Sequence, residues 1–281
     1  MKFSVLGGDE RSVYLVSRLR QDGHEVRTFA LEGSPQGTEG NFSTPEAALE
    51  GAQCVVLPVP MSSKAGMLHA PLSKQEIPLA PLLGKLTPGI PVFAGAVDRK
   101  TAEGLAVRGI DMTDLLTVEE LAVKNAALTA EGAVGVLIRE TDQCLMGSQI
   151  LLVGAGRIGK LLGLRLKALG AQVTVSSRQE RERAWCRGMC LGTADTGELE
   201  RILPQFSVVI NTVPSLVLSG RRLACLPRGA LILELASKPG GIDREAARTL
   251  GVRVVEARGL PGKTAPASAA AAIADTIYHL I

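Results

Sequence analysis

Five cysteines are an odd number for 281 residues, and their spacing forms no paired framework, so reduced thiols are expected. Cys186 and Cys190 lack the second cysteine or histidine pair that a tetrahedral zinc site needs, and no metal is expected. Histidine is scarcer still. His24, His69 and His279 follow no strand of the segment that a glycine pattern, described below, marks for a cofactor. An enzyme that draws an alcohol proton onto a histidine paired with a carboxylate, as dehydrogenases of 2-hydroxy acids do, is therefore disfavoured. A net charge of +3 is too small to argue for nucleic acid, and no nucleic-acid motif occurs, but it leaves room for a basic pocket around an anion. No run approaches the roughly 20 uninterrupted apolar residues of a membrane-spanning helix. Residues 1–8 read as strand and turn rather than as a secretory signal. The expectation is a cytoplasmic protein.

What is present is glycine. Thirty-one glycines and a 46% hydrophobic content suit an α/β protein with many turns, and the length allows two domains. Residues 149–178 organise the rest. An apolar run, Ile150 to Val153, breaks into Gly154-Ala155-Gly156-Arg157-Ile158-Gly159, and a helix-period stretch follows to Gly170 before a second strand from Gln172. In such a βαβ opening the first glycine turns the chain out of the strand. The second lets a pyrophosphate lie on bare backbone, and the third lets helix and strand pack closely. A dinucleotide is expected there. The second strand ends Ser176-Ser177-Arg178, without the acid that usually holds the ribose of NAD. Two hydroxyls and a guanidinium suit a 2′-phosphate, so NADP is favoured over NAD. The plainer alternative is that Arg178, Arg181 and Arg183 form a solvated helix start.

The N-terminal stretch repeats this opening with Ser12 where the third glycine would stand, so it reads as Rossmann-shaped without a dinucleotide site. Strands are expected at 54–57, 91–94, 206–210 and 230–235, with one near Met189, and a helix at 197–203. Another helix runs from Thr117 to about Thr141, interrupted near Asn125, and a terminal helix covers 268–280. Residues past the C-terminal ends of strands line the ligand crevice in such sheets. Those residues are Ser62, Ser63 and Lys64, Arg99, the Asn211-Thr212-Val213-Pro214 exit, Ser237 and Lys238, and Lys263 in the 259–266 loop. All are expected to open on one cleft. The fold class is α/β, with two Rossmann-like doubly wound parallel-sheet domains, 1–128 and 129–266, residues 267–281 packing back on the first.

Six stretches together resemble the A subunits of dipicolinate synthase. They are residues 5–11, Thr129-Ala130-Glu131-Gly132-Ala133, residues 147–159, residues 211–214, Ala236-Ser237-Lys238-Pro239-Gly240-Gly241-Ile242-Asp243, and Gly259-Leu260-Pro261-Gly262-Lys263-Thr264-Ala265-Pro266. The chain departs from that family at Ala127-Leu128, where Ile-Pro is usual, and at Ser268, where Thr is usual. The resemblance implies NADP-dependent oxidation of dihydrodipicolinate to dipicolinate in the mother cell of a spore former, in partnership with a flavoprotein-like B subunit. It leaves a homodimer open. The chain is similar also to two-domain dehydrogenases whose last helix returns to the first domain.

Holding a dicarboxylate calls for cations, hydroxyls and backbone N–H groups. Ser62, Ser63, Lys64, Arg99, Lys238 and Lys263 are the candidates. Gly154 to Gly159, Ser176 to Arg178, Asn211 to Pro214 and Ser237 are assigned to the cofactor. For proton transfer the candidates are Lys64 and Glu131, which the resemblance places at the start of the inter-domain helix. A carboxylate there is also an ordinary complement to the helix dipole. Two other functions fit the same residues: a shikimate-dehydrogenase-like NADP oxidoreductase using Lys64 and Asp98, and an NADPH-binding scaffold protein without turnover.

Overall fold

The computed structural model describes residues 1–34, 40–64 and 66–281, the side chain of Ser63 excepted. It divides into two compact units, Met1–Asn125 with Pro261–Ile281, and Ala126–Leu260. The first begins with β1 (Lys2–Leu6), α1 (Glu10–Gln21), β2 (Glu25–Phe29), β3 (Asn41–Phe42), α2 (Pro45–Leu49) and β4 (Cys54–Val56). A hairpin of β5 (Ser62–Lys64) and β6 (Met67–Leu68) follows, then α3 (Leu79–Gly84), β7 (Val92–Ala94), α4 (Arg99–Val107) and β8 (Met112–Asp114). Among the described residues the sheet runs β3-β2-β1-β4-β7-β8, every pair parallel. The chain thus winds outward from β1 in one direction and then in the other, which sets the C-terminal ends of β1 and β4 side by side at the switch point.

The long helix α5 (Glu119–Glu140) is unbroken, contrary to the interruption expected near Asn125. A mid-scale helix former costs well under about 1 kcal/mol in a helix interior, and the buried Leu121, Ala126, Ala130, Ala133 and Leu137 carry the helix across it. By length and composition α5 is apolar enough to cross a membrane, with a mean hydropathy of 1.4. Its buried alanines and leucines instead join the protein cores.

The second unit repeats the winding. Its elements are β9 (Gln149–Val153), α6 (Arg157–Ala168), β10 (Gln172–Ser177), α7 (Glu180–Gly188), β11 (Gly192–Asp195), α8 (Leu199–Ile202), β12 (Val208–Asn211), α9 (Gly220–Leu223), β13 (Leu231–Glu234), α10 (Arg244–Thr249) and β14 (Arg253–Glu256). The parallel order is β11-β10-β9-β12-β13-β14. The apolar run of β9 is buried on both faces, as in a sheet covered by helices on each side. Ile150 and Leu152 pack with Leu162, Leu166 and Cys186 on one face. Leu151 and Val153 pack with Leu199, Leu203 and Phe206 on the other.

Three local readings change. The strand expected near Met189 lies at β11, because Cys190 takes a left-handed φ of +55° and delays it. The helix expected at 197–203 is split into short turns around Pro204. Residues 260–264, expected as loop, form a short helix, α11 (Leu260–Thr264).

The chain ends in α12 (Pro266–Leu280), which returns to α1. Four of its seven buried residues are alanine, and Ala270, Ala272 and Ala274 pack with Ile273 and Ile277 against Leu15, Val16 and Leu19 of α1. Small side chains let two helices approach closely, so added bulk has nowhere to go. Ala274→Leu is expected to destabilise the protein by about 1–3 kcal/mol, read as a lower urea midpoint, and an unchanged midpoint would show the helix pair to be loosely packed.

Candidate active site

The glycine turn of the second unit shows the geometry its spacing implies. Gly154 has φ +108°, and a Cβ there would lie 2.3 Å from Thr212 Oγ1. A Cβ on Gly159 would lie 2.0 Å from the Gly154 carbonyl oxygen, so α6 rests directly on the turn. Around Gly156 there is open space, and this residue caps α6 without a side chain. The first N–H groups of α6 are therefore left to a ligand, and the helix dipole favours a negative one.

This turn forms one wall of a groove of about 560 Å³, bordered by Ser176, Ser177 and Arg178 and by Thr212, Val213 and Pro214. Ser176 is fully buried, and its hydroxyl has no hydrogen-bond partner among the described residues. Ser177 Oγ accepts from the Gln179 N–H at 3.2 Å, and its carbonyl accepts from Arg183 Nη1 at 2.5 Å. Arg183 also pairs with Asp195 and Glu180, which makes it a brace for the strand end rather than part of a solvated helix start. Arg181 is exposed and pairs with Glu182 at 3.5 Å. Glu182 is also held by Lys160 at 2.6 Å, and that ammonium keeps its carboxyl below the ordinary range. Arg178 is exposed and has no ion-pair partner among the described residues. An orphan hydroxyl, a free guanidinium, an uncapped helix N-terminus and bare backbone are a donor set that fits a phosphorylated dinucleotide.

The exits of β12 and β13 are fixed by a buried pair that the sequence does not reveal. Glu234, with no exposed surface, accepts from Asn211 Nδ2 at 2.8 Å, from the Ala236 N–H at 3.0 Å and from the Gly241 N–H at 3.0 Å. Asn211 Nδ2 also donates to the Val213 carbonyl, and Asn211 Oδ1 accepts from the Val213 N–H. Asn211, assigned above to the cofactor, is thus turned inward and shapes the Thr212–Pro214 wall. Gly241 is required here, since a Cβ would lie 2.5 Å from Asn211 Nδ2. Ser237 and Lys238 ride exposed on the loop so held.

Several first-unit candidates are already engaged. Ser62 Oγ lies 2.5 Å from the Lys64 carbonyl and 2.7 Å from the Met67 carbonyl, so its proton serves the β5–β6 hairpin. Lys64 is exposed and pairs with Glu76 at 2.7 Å, and that hydrogen bond raises its pKa, holding it as the ammonium with no free amine to take a proton. The Ser63 side chain lies outside the described residues. Arg99 is 91% exposed and pairs with Glu103 along α4. Asp98 caps α4, accepting from the Thr101 N–H at 3.0 Å, so Lys64 and Asp98 have separate partners and do not make a proton-handling pair. Lys263 is exposed on α11. Glu131 does not open its helix: α5 starts twelve residues earlier, at Glu119, and Glu131 stands exposed in the helix interior.

None of the histidines follows a strand of the cofactor segment, but two lie beside carboxylates elsewhere: His69 Nε2 is 3.7 Å from Asp9 Oδ2 and His279 Nδ1 is 2.9 Å from Glu120. Asp9 sits at the C-terminal end of β1, where it caps α1 and accepts from the Arg11 N–H at 3.0 Å. It also binds the Arg11 guanidinium through Nε at 2.9 Å and Nη2 at 2.7 Å. Counting from each strand end, Asp9 occupies the position that Gly156 holds in the second unit. The first unit thus fills the corresponding position with a carboxylate, which an incoming phosphate would meet as a like charge.

Two expectations follow. Glu234→Gln places an amide donor against one of three existing donors; it should lower stability by about 1–3 kcal/mol and speed amide exchange at Gly241, and unchanged exchange would mean that the loop stands without the pair. Burial alone would push the Asp9 carboxyl up, but His69 and Arg11 hold it well below its ordinary 3.8. A carboxyl whose folded pKa is depressed stabilises above its unfolded pKa, and that contribution is lost as pH falls toward the folded value. The stability deficit of Asp9→Asn should therefore shrink in urea titrations below about pH 4; a deficit constant down to about pH 2 would contradict the depressed pKa.

Comparison with known proteins agrees with this division. Residues 2–116 match the family described as the N-terminal domain of the A subunits of dipicolinate synthase. Residues 124–237 match the NAD binding domain of D-isomer specific 2-hydroxyacid dehydrogenases. The dipicolinate synthase A subunit of Bacillus subtilis (strain 168) is 28% identical over 284 residues, covering 100% of this chain and 96% of that protein. The crystal structure of the A subunit of dipicolinate synthase from Bacillus halodurans superimposes with a TM-score of 0.90 at 26% identity, over 99% of this chain and 97% of that one. The crystal structure of its Bacillus subtilis counterpart gives 0.88 at 28% identity, over 100% of this chain and 95% of that one. The second unit is a nicotinamide-coenzyme domain, and the protein is an NAD(P)-dependent oxidoreductase. From its first strand to its last helix, the chain is similar to the A subunits of dipicolinate synthase.

Proposed function

We propose that the protein oxidises dihydrodipicolinate to dipicolinate with NADP, the first unit receiving the dicarboxylate and the second the coenzyme. The substrate is suggested by the name its full-length relatives carry. The word subunit in that name supports a multi-subunit enzyme, and we assign the partner role to a flavoprotein-like B subunit in the cytoplasm of a spore-forming mother cell.

The observation that carries the choice of coenzyme is charge at the end of β10. Every carboxylate near that end is already paired, Glu182 with Lys160, Asp195 with Arg183, and Glu180 with Arg183 and Arg187. Arg178 has no such partner among the described residues and borders the groove. A 2′-phosphate would meet one free cation, two hydroxyls and no uncompensated negative charge, whereas NAD would meet no acid to hold its ribose.

Bound nicotinamide supplies the acceptor for a hydride. The chain's own tasks are to align the substrate ring, hold two carboxylates and take up the proton released on aromatisation, which itself supplies much of the driving force. Calorimetry should find NADPH bound more tightly than NADH. Arg178→Gln should weaken NADPH by about 10- to 100-fold while leaving NADH within about threefold. Tighter binding of NADH by the unaltered protein would overturn the choice of NADP, and binding of neither would overturn the oxidoreductase reading of the groove.

A further inference from the structure

We infer that Asp9, Arg11 and His69 form the dicarboxylate station of the first unit, Arg11 binding a carboxylate and His69 accepting the ring proton. The inference rests on the substrate proposed above and names the residues that meet it. The three side chains surround the end of β1 at the switch point between β1 and β4, where an open parallel sheet holds its ligands. All are largely withdrawn from solvent, with side-chain exposures of 16% for Arg11, 19% for His69 and 27% for Asp9.

Arg11 keeps donors in reserve. Its Nε and one Nη2 proton bind Asp9, while Nη1 has no acceptor among the described residues. Asp9 therefore does two things. It fixes the guanidinium plane, so that little entropy is lost when a second carboxylate docks, and it leaves the free fork edge for that carboxylate. The backbone at Gly262 lies close against the pair, since a Cβ there would be 2.8 Å from Arg11 Nε and 3.3 Å from Asp9 Oδ2. At the floor, Gly8 at φ +114° leaves space that the Ser12 hydroxyl takes. The hollow these groups enclose is about 10 Å³, enough for roughly one water. A pyridine ring must then lie outside it, with a carboxylate at its mouth.

His69 supplies the acceptor that Glu131 and Lys64 do not. Asp9 Oδ2 stands 3.7 Å from Nε2, so the imidazole has a carboxylate beside one nitrogen, the pairing commonly seen at a general base. The balance is complete. One substrate C–H bond breaks with its electron pair leaving as hydride to oxidised nicotinamide. A second C–H or N–H bond breaks with its proton passing to His69, and its electron pair enters the aromatic ring.

The test titrates dipicolinate into the full-length, NADPH-loaded protein by calorimetry and follows turnover in the presence of the second subunit. Arg11→Gln should weaken dipicolinate by about 10- to 100-fold with NADPH affinity unchanged. Arg11→Lys, which keeps the charge and loses the fork, should recover only part of that loss, and it decides the matter if the glutamine variant fails to fold. His69→Gln should bind dipicolinate within about threefold and leave KM near its original value while kcat falls by about 100-fold or more. If the unaltered protein binds NADPH and dipicolinate but the Arg11 variants hold dipicolinate as tightly, or His69→Gln turns over normally, the station is wrong and the oxidoreductase reading stands. If it binds NADPH and refuses dipicolinate, the proposed substrate falls and this site falls with it.

Discussion

A missing methyl group sets the geometry of the second unit. With no Cβ on Gly159, the first turn of α6 rests on the Gly154 carbonyl, and any side chain there would meet backbone that cannot move aside. This contact brings the uncapped N-terminus of the helix over the end of β9, whose residues Ile150 to Val153 are fully buried. The flanking exits are then fixed relative to it. Thr212 Oγ1 and N–H both donate to the Val153 carbonyl, tying the β12 exit to the same strand end, and Arg183 ties down the exit of β10. A helix dipole acts within about one turn, so anion affinity depends on this close seating.

The first unit shows what one residue type does to the same frame. Both sheets wind in the same order, and both helices begin at the same distance from their central strand. Where the second unit has Gly156 and an open helix end, the first has Asp9, whose carboxylate caps α1 and recruits Arg11. A diphosphate cannot share that position with a fixed carboxylate. The substitution turns a phosphate seat into a buried charge pair with spare donors facing no protein acceptor among the described residues, a setting suited to a smaller anion.

The frame was legible because it rests on local signals. Apolar runs marked β1, β9, β12 and β13, and the glycine spacing marked the α6 turn within the correct strand and helix. Side-chain partnerships across the fold were not legible. Asn211 and Glu234 are 23 residues apart, and Asp9 and His69 are 60 apart, so no periodicity links them. Position after a strand was a fair guide to the crevice and a poor guide to availability. Ser62 and Lys64 follow β4 as that rule requires, but a hairpin forms there and takes the Ser62 hydroxyl for its own contacts, while the Lys64 ammonium pairs with Glu76. Glu131 was misplaced because a small-residue helix carries no internal stop: α5 begins at Glu119 and passes Asn125 without a break.

Charge pairing separates one arginine from the others around the groove of the second unit. The segment 178–187 carries four arginines and two glutamates, and by count alone it reads as a solvated helix start. Pairing separates them. Arg183 and Arg187 balance Glu180 and Asp195, and Lys160 with Arg181 surrounds Glu182. Exposed pairs of this kind contribute little to stability, roughly 0–1 kcal/mol each, so their effect lies elsewhere. Each one neutralises a carboxylate that would repel a phosphate, and Arg178, beside the groove, has no ion-pair partner among the described residues. Which charges a ligand would meet there follows from what the acids are bound to, a property of the folded surface that their number in the sequence does not disclose.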